Sequence, residues 1–585
     1  MGLARSPLRR SLAEAVDLYP QKLDSVGRPY GTRRRAPAAQ DVATRSPIDC
    51  LSTPDRLWVQ STHLYIEWLT HGSLSATAAR LIWVVACFYA LALLSYVSRP
   101  AALWTCGMDI AIVAILSADL LWLLTLFLIP FTQYFAFSAN DTKFLVSIAL
   151  AACGLRLVPR TLELLRKRAF LHSAYSWIFL LYLLLVALHF RGTRPFFELQ
   201  GAALLGIGYL LFVRIRYAKS SRHAAPGLLE SAFVGSGIAA AILSLVYLYF
   251  PLPQLIVAHL PLDNLRLAAV TDGPNSMARF LLPAIASFLS RSLLHRSKRG
   301  LWYLLLALSA MLVTATGSKA GLASTLAMLF LAPFLVNARQ RQRSLWGILV
   351  AAAAMLSWTF IIGPRVEYYA ASKHTHTTGA DVSRYLVLRP EELSVHNILA
   401  RDFRIGTSSE MLKDKEGRTL YITRPYNIWH TGQRDRLWEA GIAVLGDHPL
   451  WGIGYKAWRE ELLRRIDYPF VAPHNALLEV AGSYGIMGGI LYVGLFVVFL
   501  RRTVQVRRLD TVDWLRHGAT WPTLACGALF VFEMFDEATS LGVTLMILWV
   551  WGMLAIQEAI VTDAFSSGRE QRRYSLPNLK EIGPR

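Results

Sequence analysis

Residues 472–500 read APHNALLEVAGSYGIMGGILYVGLFVVFL, and Arg501-Arg502 follow directly. A helix needs about 20 apolar residues to cross a bilayer. From Ala476 to Leu500 the only charged residue is Glu479. This stretch therefore reads as a spanning helix that starts behind Pro473-His474-Asn475 and stops at an arginine pair.

The same reading extends along the chain. Candidate spans lie at roughly 81–98, 102–117, 119–137, 142–158, 173–190, 196–214, 230–250, 276–294, 301–316, 320–337, 345–363, 476–500, 520–537 and 541–561. The second is short and holds Asp109, so it stands alone or fuses with the third. Composition agrees: 54% of the 585 residues are hydrophobic, 17% are charged and the mean hydropathy is +0.38. A soluble domain carries about 25% charge. The expected class is an all-α polytopic membrane protein with about 12–14 transmembrane helices and one large outer loop.

Cations alternate with cation-poor loops. They cluster at Arg156 to Arg168, Arg214 to Arg222, Arg291 to Arg299, Arg339 to Arg343, Arg501 to Arg508 and Arg569 to Arg573. The positive-inside rule places these loops in the cytoplasm, with both termini there if the span count is even. The net charge of +21 is then mostly topology signal rather than a nucleic-acid surface. The expected organisation is a basic tail at 1–80, a first bundle at 81–363, an outer loop at 364–473, C-terminal spans at 474–561 and a tail at 562–585. The first tail carries Arg33-Arg34-Arg35 and is read as disordered, or as touching anionic lipid. The five cysteines show no C-x-x-C and no zinc spacing.

The outer loop holds 16 Lys/Arg against 14 Asp/Glu, and it is long enough for a small folded cap. Trp429, Trp438, Trp451, Trp458 and Tyr455 give it aromatic surface. Such residues suit either sugar stacking or rest on lipid headgroups. ATP is absent from that side, so chemistry there needs a pre-activated substrate delivered in the membrane. Gly206-Ile207-Gly208 and Gly452-Ile453-Gly454 are isolated fragments that do not make a dinucleotide site.

His474 and Asn475 stand where the loop re-enters the bilayer. A helix N-terminus attracts anions and disfavours a cationic ring, which leaves an imidazole able to accept a hydroxyl proton. The alternative for His474 is an interfacial hydrogen bond. Glu479 is a carboxylate inside an apolar helix, costly unless paired or wet, and reads as orienting an Arg or an acceptor. Few cations face the same side. Arg266 precedes Pro274-Asn275. Lys319 sits in Thr316-Gly317-Ser318-Lys319-Ala320-Gly321, either snorkelling to the interface or gripping a phosphate. Arg434 and Arg436 flank Asp435 ahead of a glycine-rich turn. Asp119, Glu533 and Asp536 lie near span ends and call for no proton relay.

Taken together, Arg434 to Trp438, Pro449/Gly452/Gly454, and Pro473-His474-Asn475 with Glu479 form an ordered set. They are similar to the R-x-x-x-W, P-x-x-G-x-G and P-H-N-x-x-L-E pattern of the O-antigen ligase-related family. That family includes O-antigen ligases and O-antigen or exopolysaccharide polymerases. Arg266 with Pro274-Asn275, and Thr316 to Gly321, resemble two further motifs, and the likeness spans roughly 118–560. One departure is Lys319, where the family has Arg; the charge stays but the bidentate fork is lost, a loss Arg434 would offset.

The resemblance implies a helical-membrane-type, metal-independent, inverting glycosyltransferase of the bacterial inner membrane, working on its periplasmic face without a cofactor. The donor would be a glycan on undecaprenyl pyrophosphate. The acceptor would be lipid A-core for a ligase or a lipid-linked glycan for a polymerase. His474 would be base or orienter and Glu479 would share the catalytic role; Arg266 and Lys319 would hold the leaving pyrophosphate, and Arg434 and Asn475 would bind substrate. A flippase and a chain-length regulator would be neighbours in polysaccharide biosynthesis. The competing class is a lipid-linked glycan flippase, but no internal repeat of the transporter kind is visible. A non-catalytic role in assembly is the remaining reading.

Overall fold

The computed structural model describes residues 173–189, 195–217, 225–249, 274–295, 298–336, 338–366, 389–398, 412–413, 419–420, 434–466, 474–509, 513–536 and 546–575, with scattered positions elsewhere. The spans expected between 81 and 158, the tail at 1–80 and Arg266 lie outside these residues.

Twelve α-helices follow in order among the described residues: α1 (Ala174–Leu188), α2 (Pro195–Tyr217), α3 (Ala225–Tyr249), α4 (Pro274–Leu294), α5 (Arg299–Ala315), α6 (Lys319–Leu335), α7 (Ala338–Ser357), α8 (Arg434–Asp447), α9 (Tyr455–Arg465), α10 (Ala476–Arg507), α11 (Asp513–Glu533) and α12 (Met546–Ser575). The protein is an all-α, multi-pass membrane protein. Among the described residues, five helices are long and apolar enough to span, and α1, α3, α5 and α6 hold shorter apolar stretches. A single strand pair is described, β1 (Leu412–Lys413) antiparallel to β2 (Thr419–Leu420).

The bundle is built around α4. Within its apolar window 94% of residues are buried, against 17% for the window in 340–366, which includes α7. Thus α4 is the hub, packed by α3, α5, α6 and α11, and α7 is peripheral among the described residues. Aromatic side chains fill the space between α1, α2, α3 and α12. Phe179 stacks on Tyr209, Trp551 meets Phe179 and Phe212 edge-on, and Phe233 stacks on Trp549.

Two boundaries differ from the sequence expectation. Helix α11 ends at Glu533, and Asp536 belongs to the turn beyond it. Helix α12 runs to Ser575, well past 561.

The segment 434–466 is a helical hairpin, α8 and α9, keyed into a break in α10. Tyr484 and Gly485 have non-helical dihedrals. The helix bonds lost there are replaced from the hairpin turn: Gly454 N–H donates to the Ser483 carbonyl at 2.8 Å, and Ile486 N–H to the Pro449 carbonyl at 2.7 Å. Gly452 and Gly485 both have positive φ, and a Cβ on either would collide with the other segment's backbone. Only glycine combines that dihedral with that close approach. Buried Glu198 of α2 completes the lock. It accepts Tyr455 N–H at 2.7 Å, at the start of α9, and the Tyr484 hydroxyl at 2.9 Å. A carboxylate there also meets the positive end of the α9 dipole.

Candidate active site

The start of α10 and the end of α11 meet at His474, and α4 reaches the same point through Arg279. Asn475 caps α10: its Oδ1 accepts Leu478 N–H at 3.0 Å, and its Nδ2 points to the Met534 carbonyl at 3.5 Å. Its amide therefore ties the start of α10 to the end of α11. His474 precedes this cap with φ +50, a left-handed conformation that a β-substituted residue adopts only when its surroundings demand it.

Asp536, just past α11, supplies that demand. The His474 Nδ1 lies 3.0 Å from Asp536 Oδ1, and Arg279 of α4 donates from Nη2 to Asp536 Oδ2 at 3.0 Å. The Asp536 side chain is 5% exposed, and that of His474 is 27% exposed. An ionised carboxylate only accepts, so the contact places a hydrogen on Nδ1, and in the neutral ring the lone pair is then on Nε2. Arg279 also lies over the Phe532 ring at 5.0 Å, which fixes its guanidinium beside the carboxylate.

The turn at 316–321 is organised from within. Thr316 Oγ1 accepts Ser318 N–H, and Ser318 Oγ caps α6 through Gly321 N–H. Ser318 also donates to Asn275 Oδ1 at 2.8 Å, at the start of α4. Gly321 lets α6 close on Ala278, whose side chain a Cβ would meet at 2.6 Å. Lys319, half-buried at the first position of α6, is thereby placed at the end of the bundle where α4 begins.

Two further expected site residues belong to the contact between the hairpin and α10 or to the hairpin itself, and Glu479 does meet an Arg. Glu479 is buried and receives Arg459 Nη2 of α9 at 2.9 Å, with Arg459 over the Tyr455 ring. Its carboxylate joins the hairpin to α10. Gly482 makes room beside it for Trp458, fully buried against the helix. Arg434 opens α8 and is half-buried, and Arg436 is exposed.

Two functional candidates, Arg279 and Asp536, escaped the sequence reading, which set Asp536 aside as an ordinary carboxylate at a span end. The signal for it was a carboxylate at the same membrane face as His474, following a span with no cation nearby to pair it. In the structure Asp536 is buried and bonded to His474.

A second buried cluster has similar chemistry. Glu230 of α3 accepts from Arg291 Nε at 3.0 Å and Nη2 at 2.9 Å, and Ser287 donates to it as well. His517 of α11 lies with Nε2 3.0 Å from Glu230 and Nδ1 2.8 Å from Ser290.

The family comparison can now be set against this geometry. Residues 304–493 match the O-antigen ligase family. This is the family that the motifs resemble, and it indicates function of the O-antigen ligase or polymerase type, with lipid-linked glycan substrates. The O-antigen ligase match includes Lys319, Arg434, His474, Asn475 and Glu479, while Arg279 and Asp536 fall on either side of it. A search of curated proteins finds no match. Among the described residues no group of three or more His, Cys, Asp or Glu side chains is arranged to hold a metal ion.

Proposed function

We propose that this protein transfers a glycan from undecaprenyl pyrophosphate to an acceptor sugar hydroxyl at the periplasmic face of the bacterial inner membrane. The observation that carries this reading is the half-exposed His474 ring, whose Nδ1 is bonded to buried Asp536. His474 Nε2 takes the hydroxyl proton as the acceptor oxygen bonds to the anomeric carbon. The bond from that carbon to the pyrophosphate oxygen breaks with inversion, and undecaprenyl pyrophosphate leaves. The charge on the leaving group is met by cations: Lys319 at the start of α6 and Arg266. Helix starts at Asn275 and Asn475 add N–H groups and positive dipole ends to the same region. Asn475 positions His474, and Arg279 positions Asp536. Arg434 stands at the head of the hairpin, where it can meet the donor or the acceptor. Glu479 holds the hairpin.

This reading carries the domain plan with it: a cytoplasmic tail at 1–80, a first bundle at 81–363, a periplasmic loop at 364–473, C-terminal spans at 474–561 and a tail at 562–585. The acceptor is lipid A-core for a ligase and another lipid-linked repeat for a polymerase.

The test is complementation of a deletion strain with His474→Ala and Arg266→Ala, protein levels matched, reading envelope glycan on gels. Loss of long or ligated glycan with accumulating lipid-linked precursor supports transfer. Single repeats accumulate for a polymerase and long lipid-linked chains for a ligase. Normal glycan from both variants would overturn the site and favour a flippase or an assembly role.

A further inference from the structure

Helix α10 has two unlike halves. Beyond the break, Ile486, Ile490, Val493 and Val497 recur at i, i+4, i+7 and i+11 and are exposed, the stripe of a helix that faces lipid. Before the break, Glu479 and Gly482 are covered by Arg459 and Trp458 of the hairpin.

Helix rise sets the depth of each half. A hydrocarbon layer of about 30 Å spans about 20 residues at about 1.5 Å each. Counted back from Arg501, it ends near residue 481. Gly485 then lies about 6 Å inside that boundary, and Asn475 about 9 Å beyond it. The hairpin turn is bonded to the backbone at Gly485 and Ile486, so it sits at the rim of the hydrocarbon layer.

Beside Asp447 and His448, the hairpin exposes large apolar side chains there. Leu450 and Trp451, in the turn itself, are 56% and 53% exposed, and Ile442 of α8 is 62% exposed. Trp438, Ile442 and Leu445 recur at i, i+4 and i+7 on one side of α8, while exposed Arg436 and Asp447 lie on the opposite side. The Ile486–Pro449 bond places exposed Leu450 and Trp451 next to the exposed stripe of α10.

We infer that the 449–451 turn and the Trp438/Ile442 face of α8 rest in the headgroup–acyl boundary of the bilayer, at the end of α10 that carries His474. The surface has the chemistry of an interfacial helix: an apolar face that enters the boundary by about 5–10 Å, tryptophans at headgroup level and a charged face towards water. The partner is the lipid surface itself. Locked to α10 and resting on lipid, the hairpin fixes the height of His474 above the hydrocarbon. This inference holds whether the protein is a transferase or a flippase.

The test is site-specific photo-crosslinking of the full-length protein in its native membrane. Benzoylphenylalanine replaces Ile442 or Trp451, with Ile490 as the lipid-facing reference and Arg436 as the water-facing one; all four positions are on the surface. Lipid adducts are read by mass spectrometry. The expected result is adduct yield at 442 and 451 close to that at 490 and several-fold above that at 436. Yields at 442 and 451 equal to that at 436 would overturn the inference. So would glycan adducts in place of lipid at those positions, which would make the face a sugar platform.

Discussion

Two clusters with the same ingredients share α4 and lie towards opposite ends of α11. One joins Arg279 of α4, Asp536 beyond α11, and His474. The other joins Arg291 of α4, Glu230 of α3, and His517 of α11. Each is an arginine, a carboxylate and a histidine. The difference lies in the histidine. His517 is buried and has both ring nitrogens engaged, by Ser290 and Glu230. His474 is bonded through Nδ1 alone among the described residues, with the rest of its ring half-exposed at a helix start. A satisfied histidine binds helices together, whereas one with an open nitrogen can accept a proton.

Exchanging the roles is the strongest way to break this comparison. His474→Ala should lower transfer by about 10²–10⁴-fold, the usual worth of a general base, with little change in folding. His517→Ala should leave transfer per folded molecule within a few-fold of wild type. Its cost is stability, about 1–3 kcal/mol, because Ser290 and Glu230 lose a buried partner. Thermal unfolding in detergent together with a transfer assay separates the two.

Asp536→Ala should combine both effects. It removes the group that orients His474 and leaves Arg279 buried without its carboxylate, which costs about 3–5 kcal/mol when a buried pair is broken. Asp536→Asn should fold better than the alanine variant and still transfer slowly, since an amide oxygen can hold Nδ1–H but does not neutralise Arg279. Equal activity in wild type and both variants would remove Asp536 from the site.

The hairpin gives the next effect. Gly485→Ala forces a side chain onto a positive φ and into the Leu450 carbonyl, a strain of at least about 1–3 kcal/mol. Limited proteolysis should then open the 434–466 segment before the bundle unfolds. Glu479→Gln is milder: it keeps a hydrogen bond to Arg459 and should lower activity only few-fold. A loss on the scale of His474→Ala would instead return Glu479 to the chemistry. Lys319→Arg is the smallest change expected, within a few-fold of wild type, because the charge stays at the start of α6; Lys319→Ala should lose more.

The sequence made some of this visible and hid the rest for a physical reason. Helix α10 and the tight turn at 316–321 are written in local signals, an apolar run and a cluster of glycine and serine, whereas Asn475 was read as a substrate contact and proves to cap α10. The pairing of His474 with Asp536 joins residues 62 positions apart and leaves no periodic trace. The partner of Glu479 was hidden for the same reason, as Arg459 sits on a separate helix of the outer segment. The break at Gly485 was disguised by apolar residues on both sides, which read as one uninterrupted span. Glycines at 452, 454 and 485 were in plain view, but only the fold shows that two of them clear space for each other's backbone.

The most direct measurement compares His474→Ala with His517→Ala in one deletion strain at matched membrane protein levels, scoring envelope glycan per molecule of protein. The account predicts no long or ligated glycan with accumulating lipid-linked precursor for His474→Ala, and near-normal glycan for His517→Ala. Normal glycan from His474→Ala, or equal loss from both, would contradict it.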